Sequence, residues 1–170
     1  MDYQVSVVGG GISGALAALY LGKSRVKTCL IDRGKPSQRL SNPYIGKTTS
    51  LNLSSIASLR DVGIWEDIKK NAQEFNEIYV WDAEGSSSVQ FKAEEISRND
   101  LGVIVHNNII LESIYSKLEQ ISEVTIIEEE SLKEISQDRN KIELTSDSGL
   151  RISSELLIGA DGSLSKVRDF

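Results

Sequence analysis

Val5-Ser-Val-Val-Gly-Gly-Gly-Ile-Ser-Gly-Ala15 is the stretch from which the rest of the chain can be read. Val5 to Val8 read as a buried strand, and Ala15-Leu-Ala-Ala-Leu-Tyr-Leu21 as the helix that follows it. Between them, Gly9, Gly11 and Gly14 fall on the G-x-G-x-x-G spacing. Gly9 permits the tight turn out of the strand. Gly11 leaves the backbone open to a pyrophosphate, and Gly14 lets the helix lie close on the sheet. The free N–H groups and positive dipole end of the helix then face the phosphates. A second strand, Val26 to Ile31, ends at Asp32, where an acid can accept hydrogen bonds from ribose hydroxyls. A glycine-rich turn without a ligand is the plainer alternative, and the βαβ context weighs against it. The stretch predicts an α/β fold with a Rossmann-like, dinucleotide-binding parallel sheet.

The chain has 170 residues, a net charge of −6, one Cys and one His. That length suits a single modest domain with a real core. The acidic balance and the absence of a Lys/Arg cluster argue against a nucleic-acid partner. Cys29 cannot pair within the chain, which points to a reducing compartment; in a strand beside Leu30 it reads as buried filler. A lone His makes a Ser-His-Asp triad improbable and excludes a His-rich metal site. No apolar run is long enough to span a bilayer. Val5 to Val8 run directly into the glycine loop, so the N-terminus reads as a core strand and not as a signal peptide.

Downstream, Gly34 to Thr49 holds both prolines, Pro36 and Pro43, and reads as a long loop. Arg39 and Lys47 within it are either solvated cations or groups that return to the cofactor's phosphates. Ser50 to Val62 reads as a helix closed by Gly63, and Trp65 to Phe75 as another helical segment. The pattern then switches to period two. Ile78 to Asp82 and Ser88 to Lys92, joined by a turn at Ala83-Glu-Gly85, predict a β-hairpin belonging to a second sheet. Glu94 to Gly102 is loop-like. Val103 to Val105 is a short strand, and Asn107 or Asn108 can cap the helix that follows it. His106 beside that cap reads as solvated or locally bonded. Val124 to Ile127 is a strand. Leu132 to Ile135, Lys141 to Thr145 and Leu150 to Ile152 form an antiparallel meander, and Glu155 to Gly159 returns to a buried strand broken at Ala160-Asp-Gly-Ser163. The expected sheet is parallel and contains Val5 to Val8, Val26 to Ile31, Val124 to Ile127 and Glu155 to Ile158, with the meander crossing over it.

Several segments agree in order with one family. They are Val-Val-Gly-Gly-Gly-Ile-Ser-Gly14, Leu-Ile-Asp-Arg33, Ser-Leu-Asn52 before Leu-Arg-Asp-Val-Gly-Ile-Trp65, and Val-Trp-Asp82. Leu-Gly-Val-Ile-Val-His-Asn107 and Leu-Leu-Ile-Gly-Ala-Asp-Gly-Ser-Leu-Ser-Lys-Val-Arg168 complete the set. Together they resemble the ubiquinone-biosynthesis hydroxylases, a branch of the FAD-dependent aromatic monooxygenases. The resemblance implies that Gly9, Gly11 and Gly14 hold the FAD pyrophosphate and Asp32 the adenosine ribose. Lys47 stands where the family has an Arg, keeping the charge and losing the bidentate fork. Asn107 stands where relatives touch FAD with Arg, Gln or Asn, and His106 replaces an acidic neighbour. Asp161 belongs to a motif serving FAD and reduced pyridine nucleotide. Arg168 matches that motif's closing Arg, and a structural charge pair is an equal reading of it.

The resemblance implies a flavin enzyme that uses NAD(P)H to hydroxylate a small, apolar polyprenylated phenol. It also implies a cytoplasmic protein peripheral to the inner membrane, with other ubiquinone-biosynthesis proteins as partners. The family's downstream Gly-Asp-Ala-x-His motif is not among the residues, which suggests a 1–170 N-terminal FAD-binding portion, inactive by itself, with 76–102 supplying the first hairpin of a substrate domain. A non-catalytic nucleotide-binding fragment, or another FAD oxidoreductase such as a halogenase or an amine oxidase, remains an alternative. The Asp-Gly motif after a meander weighs against the last.

Overall fold

A computed structural model describes residues 2–35 and 46–170; Pro36, Arg39 and Pro43 lie outside the described residues. The chain opens with β1 (Asp2–Val8), α1 (Ile12–Lys23) and β2 (Thr28–Ile31). β8 (Val124–Ile127), β9 (Leu132–Gln137), β10 (Ile142–Ser146) and β11 (Arg151–Gly159) complete a six-stranded sheet ordered β8-β2-β1-β11-β10-β9. β8, β2, β1 and β11 run parallel, with Val5 opposite both Thr28 and Leu156, and Thr28 opposite Val124. The predicted parallel core is therefore present.

The meander differs from expectation. Leu150 to Ile152 and Glu155 to Gly159 do not form two strands; from Arg151 onward they are one, β11. Residues 151–154 pair antiparallel with β10, while residues 153–159 pair with β1. β9, β10 and residues 151–154 thus make the antiparallel meander, through which the chain passes from the β8 edge of the sheet to the opposite edge. The polar Ser153-Ser154 pair carried the appearance of a break. Ser154 is in fact buried, so the strand passes through without a turn.

A second, three-stranded sheet is ordered β3-β7-β4, from β3 (Thr48–Asn52), β7 (Gly102–His106) and β4 (Gln73–Phe75). Here two helix expectations are corrected. Thr48 to Asn52 are extended, with Leu51 opposite Val103, and the helix α2 covers only Leu53–Asp61. Asn52 sets its start by accepting the Ser55 N–H at 2.8 Å, a standard N-cap bond. Likewise α3 covers only Trp65–Lys69, and Gln73 to Phe75 leave the helical pattern to pair with β7. Apolar spacing cannot see such pairing, because the partner strand β7 lies far downstream of both segments. The hairpin is as expected: β5 (Glu77–Trp81) pairs with β6 (Ser88–Lys92), with Ile78 opposite Phe91 and Val80 opposite Val89.

After β7 comes α4 (Asn107–Leu118). His106, not Asn107 or Asn108, occupies its N-cap position, and no side chain caps it. The main core lies between the large sheet and the helices, where Val7, Ala15, Ala18, Leu19, Leu30, Ile110 and Ile114 meet. A second cluster on the opposite face gathers Tyr3, Val8, Cys29, Ile31, Leu144 and Ile152. β2 is buried on both faces, as its continuous apolar run requires. No helix among the described residues is long and apolar enough to cross a membrane.

Cys29 shows what that double burial does to chemistry. Desolvation pushes its thiol up to about 12. The thiolate is the reactive form, so the native protein at pH 8 is expected to resist iodoacetamide and to become labelled once unfolded in urea. Stoichiometric labelling of the native protein, read by mass spectrometry, would contradict the burial.

Candidate functional site

The parallel strands β1, β2 and β11 end at one place, and the loops that leave them meet there. The Gly9 N–H donates to the Ile31 carbonyl at 2.8 Å, and the Ala160 N–H donates to the Val8 carbonyl at 2.7 Å. These bonds lock the glycine loop between the end of β2 and the Asp-Gly turn after β11. A cleft of about 380 Å³ opens above them, bordered by Gly9, Gly11, Asp32, Asp161 and Gly162, with Lys166 on its rim. It lies at the carboxyl ends of the strands, where open α/β sheets take their ligands.

The glycines divide the work much as their spacing suggests. Gly9 has a φ of 107°, and a Cβ there would overlap the Ala160 carbonyl. A Cβ on Gly14 would overlap the Gly9 carbonyl and come within 3.0 Å of the Ala160 Cβ. Gly14 thus serves packing beneath the cleft. Gly11 is different, for nothing lies within 4 Å of a Cβ built on it. It is the N-cap of α1, with extended backbone, and faces the open cleft.

Asp32 is buried and set by backbone. Its Oδ2 accepts the Gly10 N–H at 2.5 Å and its Oδ1 accepts the Gly34 N–H at 2.8 Å. With these bonds fixing its orientation, the Asp32 carboxylate lies on the lining of the cleft. Asp161 turns most of its carboxylate onto its own loop. It accepts from the Ser165 hydroxyl at 2.5 Å and from the Lys166 N–H at 2.7 Å. Burial pushes its carboxyl up, but the bonds from Ser165, Val167 and Lys166 outweigh that, and it sits below the ordinary carboxylate range. Residues 163–164 and 166–169 form turns. Arg168 is exposed and pairs with Asp169 at 3.5 Å.

Lys47 and Asn107 stand together, but outside the lining of this cleft. The Asn107 N–H donates to the Lys47 carbonyl at 2.9 Å, and the Asn107 side-chain oxygen accepts from the Thr49 hydroxyl at 2.5 Å. The structure therefore brings Gly9, Gly11, Asp32 and Asp161 to one cleft, places Gly14 under it, and seats Lys47 and Asn107 at the junction of β3 and α4.

Three further residues border or support the cleft without having been singled out in the sequence. Lys166 donates to the Leu132 carbonyl at 2.5 Å and so ties the Asp-Gly turn to β9. Glu130, on the rim, is held below the ordinary range by the Ser146 and Ser148 hydroxyls. Tyr115 is buried and donates to the Gly10 carbonyl at 2.9 Å. Its signal was legible: a Tyr four residues after Leu111, on the apolar face of α4, must find a partner for its hydroxyl. The bordering side chains include the carboxylates Asp32, Glu130, Asp147 and Asp161 and the cations Arg33 and Lys166. With acids prevailing, a phosphate here must be met by backbone N–H groups and the helix dipole, while hydroxyls find the carboxylates. That is the donor set of a nucleotide with a ribose, and it fits a bare anion poorly.

Comparison with known proteins agrees with this geometry. A family model described as "FAD binding domain" matches residues 2–170. The ubiquinone biosynthesis monooxygenase COQ6 of Dictyostelium discoideum is 29% identical, over 94% of this chain and 37% of its own length. The 3-demethoxyubiquinol 3-hydroxylase of Escherichia coli is 27% identical, over 97% of this chain and 42% of its own. The chain thus spans about two fifths of the length of these relatives. Among solved structures, P. aeruginosa PqsL in complex with 2-aminobenzoylacetate superposes with a TM-score of 0.80 at 18% identity, covering 99% of this chain and 45% of that one. The flavin-dependent monooxygenase PieE, in complex with FAD and substrate, gives 0.79 at 18% identity, covering 99% and 32%. At such identities these structures speak for the fold alone.

Proposed function

The chain belongs to the FAD-binding domain family, and from that premise we propose that its cleft holds the adenosine and pyrophosphate of FAD in a monooxygenase that hydroxylates a polyprenylated phenol in ubiquinone biosynthesis. The observation that carries the cofactor reading is the convergence of Gly9, Gly11, Asp32 and Asp161 on one cleft at the strand ends. Gly11 and the first turn of α1 would meet the pyrophosphate with backbone N–H groups. Asp32 would accept from the ribose hydroxyls. Asp161 would act by fixing the turn that carries Gly162 along the cleft. Lys47 and Asn107 would add contacts from β3 and α4.

Bound FAD would supply the redox chemistry, taking electrons from NAD(P)H and delivering oxygen from dioxygen to the ring. The protein's own part is to bind, orient and keep the site dry. The phenol substrate is supported by the relatives whose names state ubiquinone biosynthesis or ubiquinol hydroxylation. So apolar a substrate favours a peripheral position at a membrane surface and contact with other proteins of that biosynthesis. The hairpin within 76–102, which pairs only with itself among the described strands, would begin the substrate side.

Asp32→Asn tests the adenosine end. One acceptor oxygen is kept, the charge is lost, and an amide N–H₂ must face either Gly10 or Gly34. FAD affinity is expected to fall by about tenfold, from the loss of a charge-assisted bond. Flavin fluorescence titration measures it, and an unchanged Kd would remove Asp32 from the site. For the substrate, NAD(P)H oxidation by the proposed enzyme should rise with a prenylated phenol; indifference to the phenol would refute that part.

A further inference from the structure

We propose that Tyr115 sets the orientation of the Gly10–Gly11 peptide and so aims the Gly11 N–H into the cleft, which makes it a positioning residue for the cofactor; the link to the cofactor rests on the reading above. The Gly10 residue is held from both sides. Its N–H donates to Asp32 at 2.5 Å, and its carbonyl accepts from the Tyr115 hydroxyl at 2.9 Å. Both partners are buried, Asp32 at 5% and Tyr115 at 6% exposure. A Cβ on Gly10 would overlap the Tyr115 hydroxyl and lie 3.0 Å from Asp32, so the fit is close.

The peptide between Gly10 and Gly11 is planar, and the described chain contains no cis bond. In a planar trans peptide the C=O and the following N–H point in opposite directions. Tyr115 approaches from α4, within the core. Holding the Gly10 carbonyl toward α4 therefore turns the Gly11 N–H away from it, to the side where Gly11 borders open space. Without the hydroxyl, the peptide is freer to rotate, since glycine flanks it on both sides and neither residue carries a Cβ. The N–H meant for a phosphate is then no longer preset, and binding must supply that order.

Tyr115→Phe keeps the ring and removes the bond. Tyr20→Phe is a matched control, because Tyr20 also donates to a carbonyl, that of Ser58 at 2.7 Å, at an exposed position on α1. Three quantities are measured on the full chain: FAD affinity by flavin fluorescence, thermal midpoint without FAD, and the Gly11 ¹H–¹⁵N resonance. Tyr115→Phe should weaken FAD about tenfold and shift the Gly11 resonance; Tyr20→Phe should do neither. A Tyr115→Phe protein that loses thermal stability but keeps FAD affinity and an unmoved Gly11 resonance would overturn the proposal, leaving Tyr115 a core residue only. If the unsubstituted chain takes up no FAD, the cofactor reading falls, and the Gly11 resonance alone decides the role of Tyr115. If Tyr115→Phe does not fold, difluorotyrosine at position 115, a stronger donor of the same shape, must move that resonance, and its failure to do so counts against the proposal.

Discussion

Gly14→Ala is expected to lower stability by about 3 kcal/mol, although Gly→Ala in an ordinary helix interior raises it by about 1 kcal/mol. The sign inverts because of what the new methyl meets. It would overlap the Gly9 carbonyl and reach 3.0 Å from the Ala160 Cβ. The Gly9 carbonyl is backbone and cannot rotate aside, and Gly9 is itself held by its bond to Ile31 and by the nearby Ala160 carbonyl. Relief requires moving α1 off the sheet. That helix carries Ala15, Ala18 and Leu19, each fully buried, so the movement opens the main core. Set against a total stability of about 5–15 kcal/mol for a domain, the loss is large. Urea unfolding measures it as a drop in midpoint at constant slope. A midpoint equal to or above that of the unsubstituted chain would show that α1 does not lie on the glycine loop as described.

Gly11→Val separates binding from folding. Nothing lies within 4 Å of a Cβ at this position, and its φ of −72° suits any residue. The folding cost is therefore that of a poorer N-cap, about 1 kcal/mol. The added isopropyl group must, however, stand in the cleft where backbone N–H groups would meet a pyrophosphate. FAD affinity should fall by more than about a hundredfold, since close backbone approach is lost along with the N–H bonds. Equilibrium dialysis with FAD, beside a urea titration of the same protein, reads both effects. Retained FAD with retained stability would place the pyrophosphate elsewhere. Gly11 and Gly14 are three residues apart in one motif, yet their substitutions should fail in opposite ways.

The part of the molecule that the sequence disclosed is the part in which local pattern and tertiary role coincide. Val5 to Val8, the three glycines and Asp32 are consecutive pieces of one βαβ unit, so spacing alone carries their geometry. Cys29 beside Leu30 in β2 likewise read as buried, and both are. Misreadings came where a distant partner overrides the local pattern. Thr48 to Asn52 and Gln73 to Phe75 became strands because β7 pairs with both. The break expected before Glu155 vanished because Ser153 faces β1 and β10 at once. At the site, Gly10 was passed over because it lies between the motif positions, although its N–H and carbonyl anchor the loop. Asp161 was recognised as part of a motif, but its capture by Ser165 and the following N–H groups depends on a turn that periodicity does not report. Lys47 and Asn107 were placed by resemblance, and the structure joins them to each other without adding them to the cleft.

Binding of FAD's adenosine and pyrophosphate in this cleft is read most directly from a crystal structure of the chain grown with FAD. Such binding puts phosphate oxygens within hydrogen-bond distance of the Gly11 N–H and the adenosine ribose hydroxyls on the Asp32 carboxylate. FAD bound away from the glycine loop, or bound there with its ribose turned from Asp32, would contradict it.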